Sequence, residues 1–284
     1  MFGAILGDII GSSHEFKLKV VSKNEFELFN KKSRFTDDTV MSVAISDALL
    51  ETGNDASDEG IKASFISYMK KYGRKYITAG YGKSFLAWLV SNNENAYGSF
   101  GNGSAMRVSS IPYYCSDSLE MTRHIAKLSA EVTHNHPEGI KGAESVASAI
   151  WMALHNSTKE DIAYYIKQEF GYDLSKTCEE IIGMKIRSAT CQDTVPYAII
   201  AFLESSGFED AIRNAVSFGG DTDTLAAVAG SIAEAYYGIP EELEDVCLSK
   251  LDSSLRVSLL DFERVTERAI WTDLELRQNM KLNK

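Results

Sequence analysis

Residues 225–237 read Leu-Ala-Ala-Val-Ala-Gly-Ser-Ile-Ala-Glu-Ala-Tyr-Tyr, a stretch that is apolar on almost every side of a helical projection. A helix without a polar face is typical of an element that other elements surround on all sides. The sequence therefore predicts a buried helix at the centre of the molecule, around which the rest of the chain is arranged.

Outside this stretch, apolar residues recur at the helical period of 3.6. In residues 39–50 the apolar stripe includes Val40 and Val43, and Gly53 follows as a stop signal. The same spacing occurs in residues 61–72, 122–132, 143–154, 194–204 and 211–216. No series of alternating strands and hairpin turns is present, and no linker or repeat divides the sequence. We therefore expect an all-α fold that forms one compact domain over residues 1–284.

The charge balance limits the classes of partner. The chain of 284 residues has 29 Lys and Arg against 40 Asp and Glu, a formal net charge of −11. Nucleic-acid backbones and anionic membranes attract basic surfaces, so we expect no direct binding to either. A phosphorylated ligand would also be repelled unless a bound cation corrected the charge locally. A monomer is expected.

Cysteine usage and the first residues predict a cytoplasmic protein. The four cysteines are widely spread, form no CxxC pair and are interpreted as reduced thiols. The amino-terminal segment is apolar but lacks a basic region, and Asp8 interrupts it, which argues against a secretory signal. No stretch reaches the roughly 18 apolar residues that are needed to span a bilayer.

A first polar cluster, Thr-Asp-Asp-Thr at residues 36–39, opens the helix predicted over residues 39–50. Thr and Asp are common helix caps because their side chains accept hydrogen bonds from the free N–H groups of the first turn. Capping needs only one such residue, whereas two adjacent carboxylates repel one another unless a positive group lies between them. Alone, this cluster is consistent with a cap or with a metal site.

A second cluster, Asp-Thr-Asp-Thr at residues 221–224, precedes the central helix and follows the pair Gly219-Gly220. Carboxylate and hydroxyl oxygens are the hard ligands that Mg²⁺ and Mn²⁺ prefer. Two such clusters, facing one another across a cleft, could hold two cations and orient or deprotonate a water. Together the clusters favour a metal site over two separate caps.

Two loops have an unusual composition. The glycines of residues 98–104 leave backbone N–H groups free to converge on an anion, although Asn-Gly is also an ordinary turn signal. Residues 133–139 place His134 and His136 two positions apart between two predicted helices. His136 is interpreted as a structural histidine. Tyr97, Phe100 and Phe218 flank these loops and could stack on a base, although such aromatics more often belong to the core.

Five segments carry a family resemblance: GAILGDIIG (3–11), FTDDTVM (35–41), GNGSAMR (101–107), THNHP (133–137) and GGDTDT (219–224). Each is weak alone, but as an ordered set they resemble the ADP-ribosylglycohydrolase family. That family includes the dinitrogenase reductase-activating glycohydrolase and the metazoan ADP-ribosyl-acceptor hydrolases. The motifs cover most of the chain up to about Gly238.

The resemblance implies a compact orthogonal helical bundle with two divalent cations, Mg²⁺ or Mn²⁺. By position, the implied metal ligands are Thr36, Asp37, Asp38, Asp221, Asp223 and Thr224. The implied catalytic residues are Glu15, Asp38 and Asp221, and the implied contacts with ADP-ribose are Asn102, Gly103, Ser104 and His134.

Two residues are interpreted less directly. Glu15 follows Asp8 by seven positions, so on a continuing helix it would share its face two turns later. Without the resemblance, Glu15 would be interpreted as an ordinary surface carboxylate. For Arg107 two interpretations remain open: a positive charge beside the ligand, or a structural residue that forms an ion pair within the protein.

The resulting hypothesis is a metal-dependent hydrolase of the glycosidic bond between ADP-ribose and an acceptor, which is a protein side chain or a small molecule. The alternatives are a catalytically weak ADP-ribose-binding or structural protein on the same scaffold and a dinuclear hydrolase of phosphoesters. Intact clusters at residues 36–39 and 221–224 count against the first alternative. The bond that is cut does not follow from the sequence.

Overall fold

The computed structural model of the chain describes residues 1–17, 21–53, 56–184 and 188–266. Its named helices are α1 (Phe2–Ser12), α2 (Asp37–Thr52), α3 (Asp58–Lys75), α4 (Lys83–Val90), α5 (Gly103–Met106), α6 (Ile111–Tyr114), α7 (Leu119–Glu131), α8 (Pro137–Leu154), α9 (Lys159–Phe170), α10 (Cys178–Met184), α11 (Cys191–Leu203), α12 (Phe208–Ser217), α13 (Thr222–Tyr237) and α14 (Glu241–Lys250). Residues 253–266 are also helical. Within these ranges there is no β-strand, and a single isolated bridge joins Gly101 and Thr190. The all-α prediction is confirmed.

The central position of the apolar run is also confirmed. Every residue of α13 from Thr222 to Ala233 is buried. Helices α1, α8, α11 and α12 all pack against α13, which therefore has no solvent face over most of its length. The stop signal after α2 is confirmed as well, since Gly53 has a φ of +72°, a conformation that favours glycine.

Helices α1 and α13 pack with their backbones in close contact. Gly3, Gly7 and Gly11 recur at four-residue spacing along one face of α1, and a Cβ added at any of them would overlap the backbone of α13. At Gly7 the overlap is with the carbonyl of Ala226. The missing side chains let two helix backbones pack directly together, which brings the end of α1 beside the start of α13.

The described residues share one continuous hydrophobic core, which extends from α1 to Phe262. The described cysteines are all unpaired, and three of the four are buried. None of the helices in the described ranges combines the length and the apolar character needed to cross a bilayer.

Candidate active site

Several helix starts converge on one cavity of about 480 Å³. The amino-terminal ends of α2, α4, α5 and α13 contribute to its wall, together with His134 from the connection between α7 and α8. The residues that line the cavity include Glu15, Asp37, Asp38, Lys83, Phe85, Tyr97, Gly101, Asn102, Gly103, Arg107, His134, Asp221, Asp223 and Thr224. The partial positive charge of helix amino-termini favours negative groups at such a place.

The two Asp/Thr clusters meet on one side of this cavity. The Thr224 hydroxyl donates to Oδ2 of Asp38 over 3.2 Å, although the two residues are 186 positions apart in sequence. Carboxylate oxygens of Glu15, Asp221 and Asp223 lie within 4.8 Å of one another. The structure therefore brings together acidic groups from three separate parts of the chain.

Neither cluster caps its helix in the way that the alternative interpretation requires. Thr36 and Asp221 occupy the N-cap positions of α2 and α13, and neither side chain accepts a capping hydrogen bond. By contrast, Ser118 and Thr158 cap α7 and α9 with their side chains. The side-chain oxygens of Thr36 and Asp221 are thus not used by the N–H groups of their own helices.

Asp8 performs the capping of α2 from a distance, a role that was not predicted from the sequence. This fully buried carboxylate accepts hydrogen bonds from the backbone N–H groups of Thr36 and Thr39, at 2.8 and 3.1 Å. It also accepts from both threonine hydroxyls, at 2.7 and 2.5 Å. Thr36, a predicted metal ligand, therefore points its hydroxyl hydrogen at Asp8, and it does not line the cavity. The available signal was an acidic residue inside an otherwise apolar helix.

The carboxylates of the site repel one another strongly. Burial, followed by the charge of Asp8, raises the pKa of Asp37 to about 8. Burial and the neighbouring carboxylates also raise the pKa of Asp38 and of Asp223 well above the usual range. Oδ1 of Asp38 is buried and has no hydrogen-bond partner among the described residues. A cluster of hard oxygen donors with an unsatisfied buried oxygen fits a divalent cation.

Glu15 reaches the site from a turn and not from a helix. α1 ends at Ser12, so the expectation of a continuing helix is wrong. The backbone N–H of Phe16 donates to the carbonyl of Gly220 over 2.7 Å, which fixes the turn against the second cluster. Gly220 has a φ of +75°, in the region that favours glycine. Burial and the charge of Asp221 raise the pKa of Glu15, although its side chain is exposed.

The residues of the predicted ligand-binding loop differ in their positions relative to the cavity. Asn102 lines the cavity, and its Nδ2 donates to Oδ2 of Asp221 over 2.7 Å and to the Thr194 hydroxyl over 3.0 Å. Gly103 lines the cavity directly. Ser104 lies behind the wall, where its hydroxyl donates to the carbonyl of Gly139 over 2.7 Å.

His134 lines the cavity, and burial together with the Arg107 charge lowers its pKa well below the usual range. His136 is the N-cap of α8, where its Nδ1 accepts from the backbone N–H of Glu138 over 3.2 Å. Arg107 is fully buried and makes no ion pair with a carboxylate in the described part of the chain. The structural role left open for Arg107 is thus a hydrogen-bonding one, and not an ion pair.

The three aromatics considered for stacking occupy different environments. Tyr97 lines the cavity, Phe100 is exposed outside its wall, and Phe218 is buried in the core. Of these three aromatics, Tyr97 is therefore the one that lies at the cavity.

Comparison with known proteins identifies the family. A sequence model of the family described as ADP-ribosylglycohydrolase matches residues 1–276. The chain is 29% identical to the human "ADP-ribosylhydrolase ARH3", over 86% of this chain and 87% of that protein. It is 24% identical to "ADP-ribosylarginine hydrolase Tri1" of Pseudomonas putida (strain GB-1), over 92% of this chain and 76% of that protein. It is 25% identical to "ADP-ribosyl-[dinitrogen reductase] glycohydrolase" of Rhodospirillum rubrum, over 88% of each.

A solved structure supports the same fold. It is titled "ADP-ribosylglycohydrolase-related protein complex" and superimposes with a TM-score of 0.61 over 93% of this chain and 97% of that one. The sequence identity is 22%, so this likeness concerns the fold alone.

Proposed function

This chain belongs to the ADP-ribosylglycohydrolase family, and from that membership we propose that it hydrolyses the glycosidic bond between ADP-ribose and an acceptor with the help of divalent cations. The observation that carries the proposal is the meeting of both Asp/Thr clusters and Glu15 on one cavity. The acceptor class proposed is a protein side chain or a small molecule.

The donors proposed for the cations are the oxygens of the two clusters. They are Thr36, Asp37, Asp38, Asp221, Asp223 and Thr224. A bound Mg²⁺ or Mn²⁺ would supply positive charge that offsets the negative charge of the carboxylates. It would also bind ribose hydroxyls and increase the acidity of a water molecule. Asp8 contributes indirectly, because its four hydrogen bonds hold Thr36 and the start of α2 in place.

Glu15 is the residue proposed to accept a proton from the attacking water. It is the exposed member of the acidic group that it forms with Asp221 and Asp223, so water can approach it from the cavity. Its raised pKa makes the ionised carboxylate a stronger base than an ordinary surface glutamate. The transition state of glycosidic cleavage resembles an oxocarbenium ion, which a nearby carboxylate such as Asp38 or Asp221 stabilises by charge.

The remainder of the ligand is proposed to lie along the opposite wall. Gly103 lets the molecule approach the backbone closely, and Tyr97 offers a ring face. His134 offers a ring nitrogen to the ligand. Ser104 supports this wall from behind through its bond to Gly139.

A panel of defined ADP-ribosyl linkages tests the proposal. We expect release of ADP-ribose from at least one of the arginine-linked, serine-linked or small-molecule adducts in Mg²⁺ or Mn²⁺, and loss of release in chelator. A generic phosphodiester should remain intact. Hydrolysis of the phosphodiester would point to a phosphoester hydrolase, and ADP-ribose binding without any release would point to a binding protein.

Asn102→Ala tests how the acidic group is held in position. Because Asn102 donates to Asp221, we expect its loss to weaken Mn²⁺ binding by about 10- to 100-fold, the range typical of residues that orient metal ligands. Titration calorimetry with Mn²⁺ measures this directly. The matched control is Asn214→Ala, since Asn214 is equally buried but donates to the Ala201 carbonyl. Unchanged Mn²⁺ affinity with weakened ADP-ribose binding would instead make Asn102 a ligand contact.

A further inference from the structure

Arg107 is a buried cation whose hydrogen bonds, within the described part of the chain, lead through Thr133 to one titratable side chain, that of His134. Its Nη2 donates to the Ser129 carbonyl over 2.5 Å and to the Thr133 hydroxyl over 2.9 Å. Its Nε and Nη1 have no hydrogen-bond partner among the described residues. Burying a guanidinium without a carboxylate costs free energy, so its retention beside the cavity calls for an explanation from its neighbours.

The Thr133 hydroxyl connects Arg107 to His134. Its oxygen lies 2.9 Å from Nη2 of Arg107 and 2.8 Å from Nδ1 of His134. A guanidinium can only donate, so Thr133 accepts from Arg107 and its single hydroxyl hydrogen must find an acceptor elsewhere. Thr133 is fully buried, and among the described residues Nδ1 of His134 is the acceptor that this hydroxyl contacts.

This direction of donation decides which nitrogen of His134 carries the ring hydrogen. If Nδ1 accepts from Thr133, the hydrogen of the neutral ring is on Nε2. Nε2 faces the glycine loop, because a Cβ added at Gly103 would lie 3.2 Å from it and one added at Gly101 would lie 3.6 Å from it. Both positions are glycines that line the cavity, so neither of them places a side chain over this N–H.

The charged surroundings keep the ring neutral. His134 is buried, and the Arg107 charge opposes its protonation. The other titratable groups around Arg107 are Tyr97 and Cys191, and burial raises the pKa of the first to about 12 and of the second to about 11. Both are therefore uncharged near neutral pH and do not offset Arg107.

We propose that Arg107 and Thr133 are positioning residues that fix His134 as a neutral hydrogen-bond donor, with its hydrogen on Nε2 and directed into the cavity. The donor would serve an acceptor oxygen of the bound molecule, such as a ribose hydroxyl or a phosphate oxygen. The identity of that molecule rests on the proposed function, whereas the state of His134 does not. A neutral donor recognises an oxygen without adding a charge that would compete with the cations for it.

The state of His134 is measurable in the complete protein. In ¹⁵N-histidine-labelled protein, couplings between the ring nitrogens and carbons distinguish the two tautomers, and His134→Gln identifies the resonances. We expect Nε2–H with an unprotonated Nδ1 at a pH of about 7. An Nδ1–H tautomer or an imidazolium at that pH would overturn the inference.

Two variants of Thr133 separate positioning from simple packing. Thr133→Val keeps the shape but removes the hydroxyl, so we expect a mixture of tautomers and ADP-ribose binding weakened by about three- to tenfold. Thr133→Ser keeps the hydroxyl and should bind within about twofold of the native protein. A lower melting temperature in Thr133→Val with the tautomer unchanged would contradict the inference. Should the native protein have the expected tautomer but bind no ADP-ribose, the proposed function fails while the inference on His134 stands.

Discussion

Asp221→Asn and Asp223→Asn are each expected to lower turnover of an ADP-ribosyl adduct by at least about a hundredfold, with the helix content unchanged. Asn is nearly the shape of Asp and caps a helix about as well, so a capping role predicts a mild effect. A hard cation loses an anionic donor in the same substitution. Asp37→Asn and Asp38→Asn should behave alike, because Thr224 and Asp38 bring the two clusters into contact.

Asp38→Asn should also change stability. In the metal-free protein we expect this variant to be more stable than the native protein, although its turnover is lower. In chelator, a neutral amide in place of the Asp38 carboxylate removes the charge that Asp8 and Asp37 repel. It also removes a buried carboxylate oxygen, Oδ1, that has no hydrogen-bond partner among the described residues. We expect the metal-free melting temperature to rise by about 3 to 4 °C, which for a chain of this size corresponds to roughly 2 kcal/mol. A capping role predicts little change on this substitution, and an ordinary buried hydrogen bond predicts a loss of stability.

The pH dependence follows from the raised pKa of Asp37, about 8 in the folded protein against 3.8 for an unperturbed group. Between these values the metal-free folded state holds a proton that the unfolded chain releases, so rising pH favours unfolding. Metal-free stability should therefore fall as the pH rises from about 4 to about 8, and Asp37→Asn should flatten this decline. Thermal melts in chelator across that range measure both curves.

Ser118→Ala provides the control for these variants, because Ser118 caps α7 with its side chain and does not line the cavity. It should lose about 1 kcal/mol of stability and keep full activity. Full activity and unchanged metal content in both Asp221→Asn and Asp223→Asn would rule out the metal mechanism proposed for this site.

The second large effect is expected at Gly7. A Cβ at this position would overlap the carbonyl of Ala226, and two packed backbones have no flexible side chain that could yield. Gly7→Ala should therefore destabilise the protein by about 3 kcal/mol, even though alanine favours helices. Denaturant unfolding in chelator isolates this loss from any effect of bound metal.

Gly60→Ala is the matched control for Gly7→Ala, since Gly60 also lies in a helix, α3. A Cβ added there would meet only ordinary contacts, at 3.6 Å from Ser57 and 3.8 Å from Ala56. It should be neutral or stabilise the protein by up to about 1 kcal/mol. If both variants behaved alike, the close approach of α1 and α13 would not be a source of stability.

The spacing of apolar residues was sufficient to predict the helices that are buried on one side or on all sides. The apolar run of α13 and the stripe of α2 were both predicted, because burial directly selects their residues. Short helices such as α5 and α6, with four residues each, leave too few positions for a period to be recognised. The end of α1 at Ser12 was missed for another reason: no proline follows it, and no stop signal marks it.

At the site, the residue types were sufficient to predict the acidic clusters. Their hydrogen-bond partners depend on tertiary packing and could not be predicted. Asp8 could not be recognised as a cap, because the N–H groups that it accepts from belong to Thr36 and Thr39 on another helix. The polarity of Ser104 gave no indication of whether it faces the cavity or Gly139. Likewise, an arginine such as Arg107 is expected to find a carboxylate, and only the folded structure reveals the hydroxyl of Thr133 in its place.

The bond between Asp38 and Thr224 also has a meaning for the order in which the molecule assembles. Residues 186 positions apart come into contact by closing a long loop, which carries an entropic cost that contacts within a single helix do not have. We therefore expect the oxygens proposed for the cations to come together late in folding, and a nascent chain that lacks α13 has only half of these proposed donors. A cation held by both clusters would therefore be expected to slow unfolding while leaving the folding rate nearly unchanged.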